Sequence, residues 1–313
     1  MESELRRSIS RRYAISIAEA HPAHRQFVAE TFTLITGDNR RFFCKVIRKP
    51  AFVEAAVKSL PVLNELRRSG IPNISAPVRT VDGALYCTAK SSTVIVFDWI
   101  DAEQTFDFDR RVLGEIIAAV HGTRPAPSIP IAHEEFLFPY CDLFPERLAE
   151  ALSPAGPDPV RVELRELLEV YREEIEQDWR GFVQLARRLT ALDPAMVITH
   201  GDAPGNVLVG NGNQHYLVDW DDVMLAPVER DLWFLVDDAE FTAGYRSRFP
   251  DISINDDLVA YYALTRYFAD MFEFIDEILA EHPRQHRQRN LDALRDDCFV
   301  KWLRPFIRRF MTC

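Results

Sequence analysis

Residues 198–232, ITHGDAPGNVLVGNGNQHYLVDWDDVMLAPVERDL, constrain the fold more than any other stretch of the chain. Two short apolar runs, 207–209 and 216–218, are separated by the turn formers Gly210-Asn211-Gly212-Asn213, a pattern that predicts a tight hairpin. Asp202 and Asn206 precede the first run and Asp219 follows the second. Pairing the runs antiparallel therefore gathers all three side chains at one end of the hairpin. Such a cluster of hard oxygen donors suits Mg²⁺ rather than zinc, because no thiolate or second ligand-spaced histidine is nearby. A carboxylate of the cluster that holds no metal can accept a proton from a hydroxyl. Aspartate and asparagine also favour turns, so the competing reading is a pair of capped turns without chemistry.

The rest of the chain sorts into two parts around this insert. Runs of β character at 14–18, 26–36 and 40–48 come first, the last two joined by Gly37-Asp38-Asn39 as a hairpin. An amphipathic helix is predicted over 51–69, stopped by Gly70 and interrupted by Pro61. Strands are expected again at 76–80, 84–88 and 93–99. From Asp107 the pattern turns helical, at 107–121 and over a long stretch, 160–190. There Leu164, Leu168, Tyr171, Ile175, Trp179, Phe182, Ala186 and Leu189 form one apolar stripe, the mark of a core-facing helix rather than a cofactor site. The expected class is α+β, with a β-rich lobe over residues 1–97 and a helical lobe over 98–313 that carries the polar insert.

Composition narrows the setting. At 313 residues and 47% hydrophobic content the chain can bury a full core, which excludes disorder. A net charge of −11 sets it against a phosphate backbone, so no nucleic-acid partner is expected. Five scattered cysteines without a regular spacing read as reduced thiols, and no apolar run is long enough to span a bilayer. The expected setting is the cytoplasm, with no membrane contact.

The segment HGDAPGN followed by VDWDD resembles the catalytic and metal-binding loops of the aminoglycoside phosphotransferase and choline kinase superfamily, which shares the protein-kinase fold. Within it, NVLVGN, YLVDWDDVMLAPVERDLWFL and YYALTRYFADMFEFIDEIL look like spectinomycin phosphotransferases. The resemblance implies a two-lobed protein-kinase-like fold in which Asp202 is the catalytic aspartate and Asn206 and Asp219 hold Mg²⁺ against a triphosphate. It implies a structural role for His200, and makes Asp231 the buried aspartate that braces the catalytic loop. The chain departs from the family at one point, for Asn206 follows Asp202 by four positions where five are usual. Either Pro204-Gly205 lets the loop take a tighter path, or one metal site is impaired.

The resemblance also calls for a strand lysine at the α/β phosphates. Lys45 in FFCKVIR fits, with Cys44 and Val46 facing the core, and its carboxylate partner is expected to be Glu54 in preference to Glu65. The loop HPAHRQF stands where kinases place a glycine-rich phosphate cover but contains no glycine, so His24 or Arg25 would have to supply charge there. Asp98, Trp99 and Ile100 match the segment that joins the lobes and would bond the purine through its backbone. Acceptor candidates are Asp222, Asp270 and Glu273, the last two three residues apart on one helix face.

The implied activity is Mg²⁺-dependent transfer of the γ-phosphoryl of ATP, or of GTP, to a hydroxyl of a small cationic molecule, with an aminoglycoside or spectinomycin-like aminocyclitol first. A metabolic kinase for choline or ethanolamine, and an impaired kinase-like nucleotide-binding module, are the alternatives. Charge fits a cationic acceptor. Residues 1–97 hold 15 Lys+Arg against 8 Asp+Glu, a balance of +7, and the remainder carries −18.

Overall fold

The computed structural model of the 313-residue chain describes residues 1–23 and 29–310. Helix α1 (Ser3–Tyr13) leads into strands β1 (Ile17–Pro22), β2 (Glu30–Thr36) and β3 (Arg41–Ile47), then helix α2 (Val53–Arg68), β4 (Cys87–Ala89) and β5 (Ser92–Asp98). After β6 (Ala102–Gln104), α3 (Arg110–His121) and β7 (Ala132–His133) come α4 (Leu143–Leu152) and the long α5 (Pro159–Leu189). The polar insert supplies β8 (Val197–Thr199), β9 (Val207–Gly210), β10 (His215–Leu217) and β11 (Met224–Ala226). The chain ends in α6 (Glu229–Leu232), α7 (Ala239–Arg246), α8 (Asp256–Leu279), α9 (Arg284–Ala293) and α10 (Leu303–Ile307).

Two compact units emerge. The first comprises Met1–His133, Met196–Asp231 and Leu235–Ile252, and the second Glu134–Ala195, Leu232–Phe234 and Ser253–Cys313. In the first unit a five-stranded antiparallel sheet runs in the order β1-β2-β3-β5-β4. The β2–β3 turn is closed by Thr36, whose hydroxyl binds Asp38 and accepts the Arg40 N–H, with Asn39 at φ +64°. Thr80, Asp82 and Ala84 build the same device a second time. Alternation along β3 sends Phe42, Cys44 and Val46 into the core beneath Leu5, Ile9 and Tyr13 of α1. Lys45 points to the opposite face.

Several boundaries differ from expectation. The run at 76–80 forms only an isolated bridge, Pro77 to Phe97. Helix α2 runs through Pro61 to Arg68, just before the expected stop at Gly70. Helix α4 adds a helix between the two expected at 107–121 and 160–190, and Pro145 is accommodated in its first turn, where no intrahelical N–H is needed. Helices α3 and α7 meet at glycines. A Cβ on Gly114 would lie 2.2 Å from the Phe241 carbonyl oxygen, and one on Gly244 2.0 Å from that of Arg111, so this approach needs bare backbone on both helices. Asp109 caps α3, accepting the N–H groups of Arg111 and Val112, and Asp238 caps α7 through the N–H of Phe241.

The second unit is built on α5 and α8. Asp158 caps α5 and Pro159 opens it, and Leu164, Leu168, Ile175, Phe182 and Leu189 of the predicted stripe are buried. Trp179 and Phe182 pack among Phe138, Phe144 and Phe268, with Phe182 stacked on Tyr261. No described helix is long and apolar enough to cross a membrane.

One carboxylate works against this core. Burial pushes Asp178 of α5 up to about 6, with the Arg308 charge opposing it. Arg304 lies 3.9 Å away but is shared with Glu174. Since the folded pKa exceeds the unfolded one, the folded state binds the extra proton, and stability is lost as pH rises from about 4 to about 6. Asp178→Asn should therefore raise stability by on the order of 2 kcal/mol at pH 7.5 and leave it nearly unchanged at pH 4, as read by urea denaturation at both pH values.

Candidate active site

The loop 200–206 hangs from a single buried carboxylate. Asp231 Oδ2 accepts the His200 N–H at 2.8 Å and lies 3.1 Å from His121 Nε2, while Oδ1 accepts the Gly201 N–H at 2.6 Å. Burial, the largest influence, raises its pKa, but the His121 hydrogen bond and the nearby positive charge, Arg230 included, prevail and hold the carboxyl below its usual range. His121 comes from α3, and its Nδ1 lies 2.8 Å from the hydroxyl of Tyr245 on α7. The glycine contact between those helices thus positions the two rings behind Asp231.

His200 makes its bonds within the loop. Nε2 donates to the Val218 carbonyl at 2.9 Å, and Nδ1 accepts the Asp202 N–H at 3.2 Å, which requires the neutral ring protonated on Nε2. Both nitrogens are spent on backbone, so the ring orients Asp202 rather than moving protons. Gly201 sits at φ +93°, and the Arg230 guanidinium fills the space a Cβ would need, with Nη2 2.4 Å from that position. Arg230 itself donates to Thr199 Oγ1 and to the Asp222 carbonyl.

The short spacing from Asp202 to Asn206 closes as one 3₁₀ turn, Ala203–Asn206. Asn206 Nδ2 donates to the Asp202 carbonyl at 2.9 Å and to Asp202 Oδ2 at 3.3 Å. The amide nitrogen is thereby committed, and Oδ1 is the atom Asn206 can offer a cation. Gly205 does not use a left-handed conformation here. A Cβ there would make only ordinary contact, 3.4 Å, with the Asp202 carboxylate. Gln104 of β6 donates to the Gly205 carbonyl at 2.7 Å and pins the turn.

The β9–β10 register, Val209 with His215 and Val207 with Leu217, is the predicted hairpin. The Val218 N–H donates to the Asn206 carbonyl at 3.1 Å, which brings Asp219 beside Asn206. Asp219 takes φ +61°, a left-handed conformation that turns the chain sharply at this point. Lys45, 3% exposed, donates to Asp219 Oδ1 at 3.1 Å and to Asp221 Oδ2 at 2.5 Å. Burial opposes its charge, but the two carboxylates outweigh that and raise its pKa. Burial also raises Asp221, with Lys45 opposing and Asp219 reinforcing the shift. One ammonium set against two carboxylates leaves a net negative charge beside a carbonyl oxygen and Asp202. That oxygen-rich, anionic set fits a divalent hard cation.

The structure does not bring Glu54 to Lys45. Glu54 lies in the first turn of α2, exposed, and pairs with Lys58 one turn later on the same helix, while Glu65 pairs with Arg68. The place foreseen for Glu54 is taken by Asp221, which the sequence reading missed. Three acids in four positions, 219–222, advertise the cluster without saying which of them turns inward. Asp98 ends β5 opposite Phe42, and the Arg41 guanidinium lies over the Trp99 ring before Ile100 leads away. Asp222 is exposed in the first unit. Asp270 and Glu273 lie in the second, Asp270 paired with Arg266 and Glu273 accepting from Tyr140 Oη at 3.4 Å. His24 and Arg25 fall outside the described residues.

A sequence profile described as the phosphotransferase enzyme family matches residues 19–268. A search of curated proteins finds no match. Among solved structures, the chain is similar to a spectinomycin phosphotransferase bound to ADP and spectinomycin, at 20% identity and TM-score 0.81, with 96% of each chain covered. It is also similar to a microcompartment-associated aminopropanol kinase, at 18% identity, TM-score 0.62 and 95% coverage of each chain. An aminoglycoside phosphotransferase from Alicyclobacillus acidocaldarius aligns at 17% identity and TM-score 0.59, covering 97% of this chain and 93% of its own. The fold is therefore the kinase-like α+β fold expected from the sequence.

Asp231 generates a direct test. Asp231→Asn places an amide N–H₂ among groups that all donate, and should cost about 3 kcal/mol in urea denaturation at pH 7. Because the folded pKa lies below the unfolded one, the stability this carboxylate contributes is complete above about pH 4 and is lost as pH falls through the folded value. The variant should accordingly lose less stability on acidification than the parent.

Proposed function

The chain belongs to the phosphotransferase enzyme family, and we propose that it transfers the γ-phosphoryl group of ATP, or of GTP, to a hydroxyl of a small cationic molecule. The first candidate is an aminocyclitol of the spectinomycin kind. The single observation that carries this reading is the pairing of Lys45 with Asp219 beside the Asp202–Asn206 turn. It joins a phosphate-binding cation, a metal-binding set and a proton acceptor in one constellation.

In this reading the nucleotide lies on residues 1–97, with the backbone of Asp98, Trp99 and Ile100 at the purine, and the acceptor lies on 98–313. Asp219 and the Asn206 Oδ1 would hold Mg²⁺, which supplies charge neutralisation for the triphosphate. Lys45 meets the α and β phosphates, exchanging part of its carboxylate pairing for phosphate oxygens. Asp221 keeps the ammonium aimed while that exchange occurs, as a second anchor that no phosphate replaces. Asp202, oriented by the His200 ring through its own N–H, accepts the proton of the acceptor hydroxyl as the oxygen attacks in line. Among the acceptor candidates Asp222, which lies in the same unit as this constellation, is the proposed anchor for a cationic substrate.

The likeness to an aminopropanol kinase supports an amino alcohol as the second substrate class to try. Incubation with Mg·ATP and Mg·GTP across aminocyclitols, aminoglycosides and amino alcohols, read by mass spectrometry, should yield a product heavier by one phosphoryl group. Absence of product on every substrate, together with no rise in Tm with either nucleotide, sinks the reading; a rise without product leaves a nucleotide-binding module. Asp202→Asn should lower kcat by about 10³-fold or more with nucleotide affinity little changed. Asp221→Asn should instead act mainly on the KM for nucleotide, by about tenfold, because it removes an anchor of Lys45 and no reacting group.

A further inference from the structure

Glu277, His282 and His286 converge where α8 ends and α9 begins, within the second unit and outside the constellation described above. Glu277 Oε2 lies 2.7 Å from His286 Nε2 and 3.3 Å from His282 Nε2, and the two imidazole rings are 4.7 Å apart. One ligand atom from each residue falls within 4.8 Å of the others. We propose that these three side chains form a binding site for a divalent transition-metal ion of the zinc class, which clamps the end of α8 to the start of α9.

The dimensions agree with that chemistry. A tetrahedral ion with bonds of about 2.0–2.1 Å holds its ligand atoms about 3.3 Å apart, which is the Glu277–His282 spacing, while the 2.7 Å Glu277–His286 spacing would open to receive one. Two imidazoles and one carboxylate make a borderline-soft set that favours zinc or cobalt over magnesium or calcium, the reverse of the Asp219–Asn206 set. With three protein ligands the fourth position is left to water.

The segment carrying the ligands is fixed without the ion. His282 N–H donates to Ala280 and His286 N–H to Pro283, each at 2.9 Å. Arg287 Nε donates to the Ile278 carbonyl at 2.6 Å, and its Nη2 pairs with Asp158 at 2.7 Å. Asn290 Nδ2 donates to the His286 carbonyl at 3.0 Å. The turn is thus held in the shape that brings the rings together, which reduces the ordering that binding requires. As simple ion pairs the three exposed or half-exposed groups would add little to stability, whereas a shared ion bridges two helices.

The test uses the full-length, tag-free protein after chelator treatment. Calorimetric titration with zinc should show one equivalent bound and a Tm rise of about 3 °C or more at saturation. Cobalt should give the visible absorption bands of a four-coordinate ion. His282→Ala and His286→Ala should each weaken zinc binding by about tenfold or more and abolish the cobalt bands, and Glu277→Gln, which preserves shape, should weaken binding without loss of fold. Asp219→Asn should leave the zinc and cobalt signals intact. The proposal is overturned if the parent protein binds no zinc, if the histidine variants bind it as the parent does, or if only Asp219→Asn removes the signal.

Discussion

The buried Asp231 carboxylate is the interaction on which the 200–206 loop depends. A carboxylate taken out of water is costly unless its oxygens are matched by donors, and here two successive backbone N–H groups and a histidine ring supply them. Those partners belong to the first turn of the loop and to α3, so satisfying the charge also fixes where the loop begins. Everything beyond it is then set by short reach. The His200 ring spans from the Asp202 N–H to the Val218 carbonyl, and Val218 in turn binds Asn206. Backbone bonds thus locate Asp202, Asn206 and Asp219, with one side-chain contact added, from Asn206 Nδ2 to Asp202 Oδ2.

Behind Asp231 stands a packing condition with no polar chemistry of its own. Helices α3 and α7 approach so closely that neither Gly114 nor Gly244 has room for a methyl group. That approach brings His121 and Tyr245 within hydrogen-bond distance, and the ring then meets Asp231. Core geometry, helix packing and the ionisation of one carboxylate are therefore a single structural problem. In front of the loop the problem is electrostatic. Lys45 is buried as an ammonium only because Asp219 and Asp221 face it, and the excess negative charge that results is what a divalent cation would neutralise.

Much of this was legible in the residues. The β9–β10 hairpin follows from two apolar runs and a Gly/Asn turn, and the clustering of Asp202, Asn206 and Asp219 follows from the hairpin. The α5 stripe and the alternation along β3 were readable because helix and strand periods impose them on the sequence. Other features were not. Glu54 and Asp221 are equally plausible partners for a lysine when only spacing is known, and the choice turned on which side of α2 faces outward. Helix α4 hid behind a proline that a first turn tolerates. The glycines of α3 and α7 carry no local signal, because their reason lies on another helix.

What the sequence determined by itself is local: the kinds of element, the faces they bury, and the presence of one chemically equipped loop beside a hairpin. These depend on periodicity and turn chemistry, which act over a few residues. Only the tertiary structure decided that a four-residue spacing closes as a 3₁₀ turn with Asn206 bonded back to Asp202, that Asp221 and not Glu54 meets Lys45, and that His121 and Tyr245 stand behind Asp231. Those outcomes depend on where burial leaves room and which charge is left without water, and both are set by segments far apart in the chain.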